Sequence, residues 1–213
     1  EEVGGAVVDS NRALAEDAEL VVLAVKPDVL DAVAEDLVGA GTPVVSILAG
    51  TSLERLSEAL PGIELVRVMP NLGAQLRQAV LCVTFPEGFP DNLRGQVTEL
   101  LGLLGDVIEI DEELIDAATA LMGCSPGYLA LMAEVLVEEG VREGLREDQA
   151  LRMVARSMAA TGGLLDLHKP DALKQAVASP GGMTEAGLNA LEERSIRVTL
   201  KAAVDASLAR VRG

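Results

Sequence analysis

The sequence predicts an α/β protein: a doubly wound parallel sheet followed by an all-helical half. Three observations lead there. Short β-branched runs alternate with amphipathic helical stretches through residues 6–110. One of those runs, Leu20-Val21-Val22-Leu23-Ala24-Val25, is continuous, the pattern of a strand covered on both faces. From Glu112 onward the apolar spacing is helical throughout and no segment reads as a strand.

In order along the chain, Ala6-Val7-Val8 is the first strand candidate, and a short helix runs from Asn11 to about Asp17. The Leu20–Val25 strand ends at Lys26-Pro27. The next helix carries Val29, Leu30, Val33, Leu37 and Val38 on one stripe. Pro43–Leu48 is a strand. Thr51-Ser52-Leu53-Glu54 has the form of a capping box, with Thr51 as cap and Glu54 reaching back, opening a helix to about Leu60. Glu64–Met69 and Val80–Phe85 are further strands, Asp91–Leu104 a helix and Val107–Ile110 the last strand. Strand–helix alternation of this kind implies parallel pairing. Helices follow at 112–121, 128–140, 148–167, 171–178, 184–193 and 196–211. The change of character sets a domain boundary near Asp111, giving parts 1–111 and 112–213.

Composition narrows the function. Nearly half of the 213 residues are apolar, but Phe85, Phe89 and Tyr128 are the only aromatic ones, so the core is aliphatic; the methionines at 122, 132, 153 and 158 are read as part of it. The formal charge of −17 disfavours nucleic acid and anionic membranes as partners. No run reaches the roughly 20 apolar residues that span a bilayer, and no basic-then-apolar leader pattern is visible. Cys82 and Cys124 stand far apart, without a CxxC or a histidine pair, which points to a reducing, cytoplasmic setting and to no metal site. The lone histidine, His168, precedes Pro170 at a helix end and is read as a C-terminal dipole partner rather than an acid catalyst.

Two constellations carry chemistry. Ser179-Pro180-Gly181-Gly182-Met183-Thr184 lies between two helices, and its bare amides together with the following helix start suit a small carboxylate. As a plain connector, the same segment would use Thr184 as an N-cap. The second constellation is a set of strand ends: Ala24-Val25-Lys26-Pro27, Ser46-Ile47-Leu48-Ala49-Gly50 and Val68-Met69-Pro70-Asn71. Such ends line the ligand crevice of parallel sheets, and they equally serve as ordinary connectors. No GxGxxG is present.

Residues 170–192, PDALKQAVASPGGMTEAGLNALE, resemble the signature of pyrroline-5-carboxylate reductases along their whole length. AVKP at 24–27, AG at 49–50, MPN at 69–71, ELIDAATAL at 113–121 and the pair Pro126/Tyr128 fall in the family's order and spacing, so the likeness covers essentially the whole chain. The resemblance implies a Rossmann-type domain, incomplete at its amino end where the first strand and glycine loop are expected, and a helical domain that dimerises. It implies NADPH as cofactor, with NADH as the alternative, contacted by Asn11, Ala24, Val25, Lys26, Pro27, Ile47, Leu48 and Ala49; Asn71 joins that wall. It implies a substrate site at Glu112, Gly181, Gly182, Met183 and Thr184, with Thr184 at the ring nitrogen of a cyclic imino acid that is reduced to proline. Two departures stand out: Leu72-Gly73 where relatives carry Thr-Pro, and Met122-Gly123-Cys124-Ser125 where they carry Ser-Gly-Ser-Gly. They keep two other readings open, a paralogue acting on another cyclic imine and a non-catalytic dimeric regulator.

Overall fold

The computed structural model describes residues 4–212. The chain divides into two compact units, 1–123 and 124–213. The first holds α1 (Asn11–Asp17), β1 (Val21–Leu23), α2 (Leu30–Leu37), β2 (Val44–Ser46), α3 (Leu53–Ala59), β3 (Leu65–Pro70), β4 (Ala79–Thr84), α4 (Asp91–Gly102), β5 (Gly105–Glu109) and α5 (Ile115–Ala118). The second holds α6 (Ser125–Arg142), α7 (Glu147–Leu165), α8 (Pro170–Val177), α9 (Met183–Glu193) and α10 (Ile196–Arg212).

The five strands form one sheet in the order β1-β2-β3-β4-β5. β1, β2 and β3 are parallel, and so are β4 and β5. β3 and β4 are antiparallel, which corrects the all-parallel expectation. The reason is length. A parallel return needs a crossover of a dozen or more residues, and only Asn71–Gln78, wound into a 3₁₀ turn at Leu72–Leu76, join these strands. Gly73 is demanded there, because a Cβ would strike the Gln78 carbonyl.

Helices cover both faces, as a doubly wound sheet requires. On one face Val21, Leu23, Val44 and Leu65 pack with Ala15 of α1, Leu30, Ala34 and Leu37 of α2, and Leu56 of α3. On the other, Val45, Val66, Val68, Leu81 and Val83 pack with Val97 and Leu101 of α4. That second face is only partly covered. Val22 in β1 is 53% exposed, so the two-sided burial expected of that strand is not realised. Ala6–Val8 is not a strand either: it has no ladder partner among the described residues, and its valines lie exposed.

Local chemistry also moved a cap. Ser52, not Thr51, accepts the Arg55 amide and opens α3, while Thr51 is buried. The helix expected over 112–121 is three short pieces: a 3₁₀ turn at Glu112–Leu114, α5, and a π-helical turn at Thr119–Gly123. Ile115 and Ala120 bury their side chains with the sheet unit. Packing therefore ends the first unit after Gly123, whereas the change from strands to helices falls near Asp111.

The helical unit is different in kind. Among its described residues Ala150 alone is buried. Met153, expected in a core, is exposed. Tyr128 links α6 to α10: its hydroxyl donates to the Ala203 carbonyl at 3.2 Å and pairs with Ser207 Oγ at 2.5 Å. The helical run Glu112–Arg142 reaches a mean hydropathy of 1.5, enough by length and composition to cross a membrane, and only 6% of its apolar window is buried within the chain. This differs from the reading of uninterrupted apolar runs, which missed an apolar average spread over helical turns.

Candidate functional site

Because β1, β2 and β3 run parallel, their carboxyl ends open at one edge of the sheet. Ala24–Pro27 leaves β1, Ile47–Ser52 leaves β2, and Asn71 follows β3. Lys26 is exposed, and Pro27 starts the next turn, where its missing N–H costs nothing. Gly50 turns the second loop with φ +68°, a left-handed conformation that glycine adopts without strain. Ala49 is exposed. Leu48 is 3% exposed and packs into the core, so only its backbone faces the loop. Asn11 starts α1, and its amide donates to Asp36 at 3.0 Å. An exposed cation and bare loop backbone at strand ends are the donor types that a dinucleotide's anionic and polar groups take up, so these residues fit such a cofactor.

Asn71 does structural duty at this edge. Its Oδ1 accepts the amides of Gly73 and Val80, each at 3.1 Å, and its Nδ2 donates to the Met122 carbonyl at 3.1 Å. Three segments meet at one side chain: the 3₁₀ turn, the start of β4 and the π-helical turn. The Gly73 amide exists for this bond because Gly, not Pro, stands there.

Glu112 is tied as well. Its Oε1 accepts from Arg67 Nη1 at 2.9 Å and from the Leu53 amide at 2.6 Å. Arg67 is buried within β3, and sequence reading passed it over. The available signal was a charge inside an otherwise apolar strand, Leu65-Val66-Arg67-Val68, since a buried arginine needs a partner.

In the helical unit, Gly181 has φ +72°, and its amide donates to Glu185 Oε2 at 2.7 Å. The Gly182 amide closes onto the Ser179 carbonyl at 2.9 Å, and a Cβ at 182 would crowd that same oxygen. Gly182, not Thr184, is the N-cap of α9; Thr184 lies one residue into the helix and is exposed, as is Met183. Two of the loop's amides are thus spent within the chain. The first-turn amides of Met183 and Thr184 have no partner in their own helix, as at any helix start, and remain for an anion. Glu112 and Asn71 belong to the sheet unit and residues 181–184 to the helical unit.

Comparison with known proteins bears on the fold and the family. Residues 112–213 match the family model for pyrroline-5-carboxylate reductase dimerisation, and residues 1–50 match that for NADP oxidoreductase, coenzyme F420-dependent. The chain is 38% identical to the pyrroline-5-carboxylate reductase of Thermus thermophilus over 91% of this chain and 74% of that protein. Its fold matches the 1-pyrroline-5-carboxylate reductase of Streptococcus pyogenes with a TM-score of 0.87 at 32% identity, over 95% of this chain and 79% of that one. The Plasmodium falciparum pyrroline carboxylate reductase with NADP bound matches with a TM-score of 0.87 at 28% identity, over 96% and 80%. The chain belongs to the pyrroline-5-carboxylate reductase family.

Proposed function

We propose that this chain reduces 1-pyrroline-5-carboxylate to L-proline with NADPH, as a homodimer joined through its helical unit, in a cytoplasmic setting. The observation that supports this most directly is the match at TM-score 0.87 to a pyrroline carboxylate reductase with NADP bound, running through 96% of the chain.

The cofactor supplies a hydride to the C=N carbon, while the proton already on the iminium nitrogen remains to give the secondary amine. The chain's own task is to orient and to exclude water, which suits a site without a Cys/His or Ser/His pair. Ala24–Pro27, Ile47–Ala49 and Asn11 hold the dinucleotide, chiefly through backbone at Leu48. The amides of Met183 and Thr184 take the substrate carboxylate, and the Thr184 hydroxyl holds the ring nitrogen. Glu112 is a further substrate contact. Local amide donors of this kind are needed because the net charge of −17 repels an anionic substrate at long range.

The test is NADPH consumption in the presence of 1-pyrroline-5-carboxylate by protein from the complete reading frame, beside Thr184→Ala. Turnover in the parent and a loss of about 10²-fold in kcat/KM in folded Thr184→Ala are expected. A folded dimer that turns over neither NADPH nor NADH would move the assignment to a non-catalytic dimer, and turnover restricted to another cyclic imine to a paralogue.

A further inference from the structure

Three of the four buried polar residues of the sheet unit, all but Thr51, are aligned. Ser46, Arg67 and Thr84 stand side by side across β2, β3 and β4, paired in register. All three are buried, with Arg67 at 7% exposure. They form one polar row on the sheet face otherwise packed by Val44 and Leu65. A guanidinium stays charged at every accessible pH, so burying it is costly unless it is paired.

The partner is Glu112 Oε1, and that oxygen has a second donor, the Leu53 amide. Leu53 begins α3 directly after the Ile47–Ser52 loop. One carboxylate oxygen therefore joins β3 to the loop leaving β2. Thr84, next in the row, donates its hydroxyl to the Ile110 carbonyl at 2.9 Å, fixing the backbone two residues ahead of Glu112. The Glu112 side chain remains 29% exposed, and its other oxygen takes no part in these bonds. Everything around Glu112 thus constrains where that second oxygen points.

We propose that Arg67 is a positioning residue. It orients Glu112 so that one oxygen anchors the start of α3 while the other is presented to the substrate. The assignment rests on the reductase reading above, in which Glu112 meets the substrate. Arg67 does not touch the substrate and acts through Glu112.

The experiment is a double-mutant cycle on kcat/KM for the imine, using protein from the complete reading frame. Arg67→Met and Glu112→Gln are each expected to lose about 10²-fold, the scale of a misplaced contact. Adding Glu112→Gln to Arg67→Met should then cost less than about twofold more, because the carboxylate has already lost its placement. Arg67→Lys keeps the buried charge without the planar fork, and should recover part of the loss; it replaces Arg67→Met in the cycle if the latter does not fold. Losses that multiply, or unchanged kcat/KM in a folded Arg67 variant, overturn the assignment and leave a merely structural ion pair. A parent enzyme without turnover would instead sink the reductase reading. In that case hydrogen exchange at the Leu53 amide decides the placement of Glu112. Faster exchange in the Arg67 variant, with the β2 amides still protected, supports it, and unchanged exchange refutes it.

Discussion

The two units of this chain are built of similar aliphatic residues and differ in what those residues touch. In the sheet unit Leu30, Leu37, Leu56 and Leu60 are at most 2% exposed, locked between strands and helices of the same chain. In the helical unit Leu131, Val135, Leu136, Val198 and Leu200 lie open to solvent. Tyr128, Leu131, Met132, Val135, Leu136, Leu191, Ile196, Leu200 and Ala203 line one apolar groove of about 440 Å³. The lesson is that hydrophobicity alone does not make a core. A sheet offers two broad faces that its own crossover helices cover, whereas antiparallel helices joined by short turns leave stripes facing outward. A surface so apolar on a monomer marks an interface, and residues 112–213 match a dimerisation family. The sheet unit buries its leucines within the chain, and the apolar face of the helical unit is the surface that homo-oligomerisation would cover.

The strongest way to break that comparison is to remove one leucine from each side. Leu56→Ala in the sheet unit should cost about 3 kcal/mol, the usual penalty for a cavity at a fully buried leucine. Urea unfolding should report this cost independently of protein concentration. Leu131→Ala in the helical groove should cost about 1–2 kcal/mol, seen as weaker dimerisation in sedimentation and as a concentration-dependent midpoint. If Leu131→Ala shifted stability as Leu56→Ala does, with no effect on assembly, the helical unit would have a core of its own. A smaller contrast uses the thiols. Burial pushes the Cys82 thiol up from its ordinary value, leaving less thiolate at neutral pH. Cys124, at the start of the helical unit, is half-buried. Alkylation at neutral pH should therefore label Cys124 first and Cys82 only on unfolding, and equal rates would show that the sheet unit opens readily.

Much of this arrangement was legible in the residues. The strand runs, the helical second half and the family signature at 170–192 are local patterns, and local patterns survive into structure. What was hidden depended on contacts between segments. The β3–β4 reversal turned on the eight residues between Pro70 and Ala79, too few for a crossover, although the two strands read alike in isolation. The α3 cap fell to Ser52 because Thr51 is drawn inward, which no capping pattern can foresee. Ala6–Val8 has strand composition and finds no neighbouring strand to pair with among the described residues. At the candidate site, Glu112 was picked out by family position and Asn71 by its place at a strand end, but their ties to Arg67, Leu53 and Met122 were not, since each joins residues far apart in sequence.

The row Ser46–Arg67–Thr84 has one more consequence, for strand registry during folding. A parallel strand rich in valine can slide by one residue along its neighbours at little apparent cost, since valine packs much as valine does. Such a slip would carry Arg67 to the opposite face of the sheet, among Val45, Val83 and Val97, away from its carboxylate. One ionised side chain thus penalises the mispaired alignments that the surrounding valines would tolerate, and the sheet keeps a single alignment because of its least hydrophobic member.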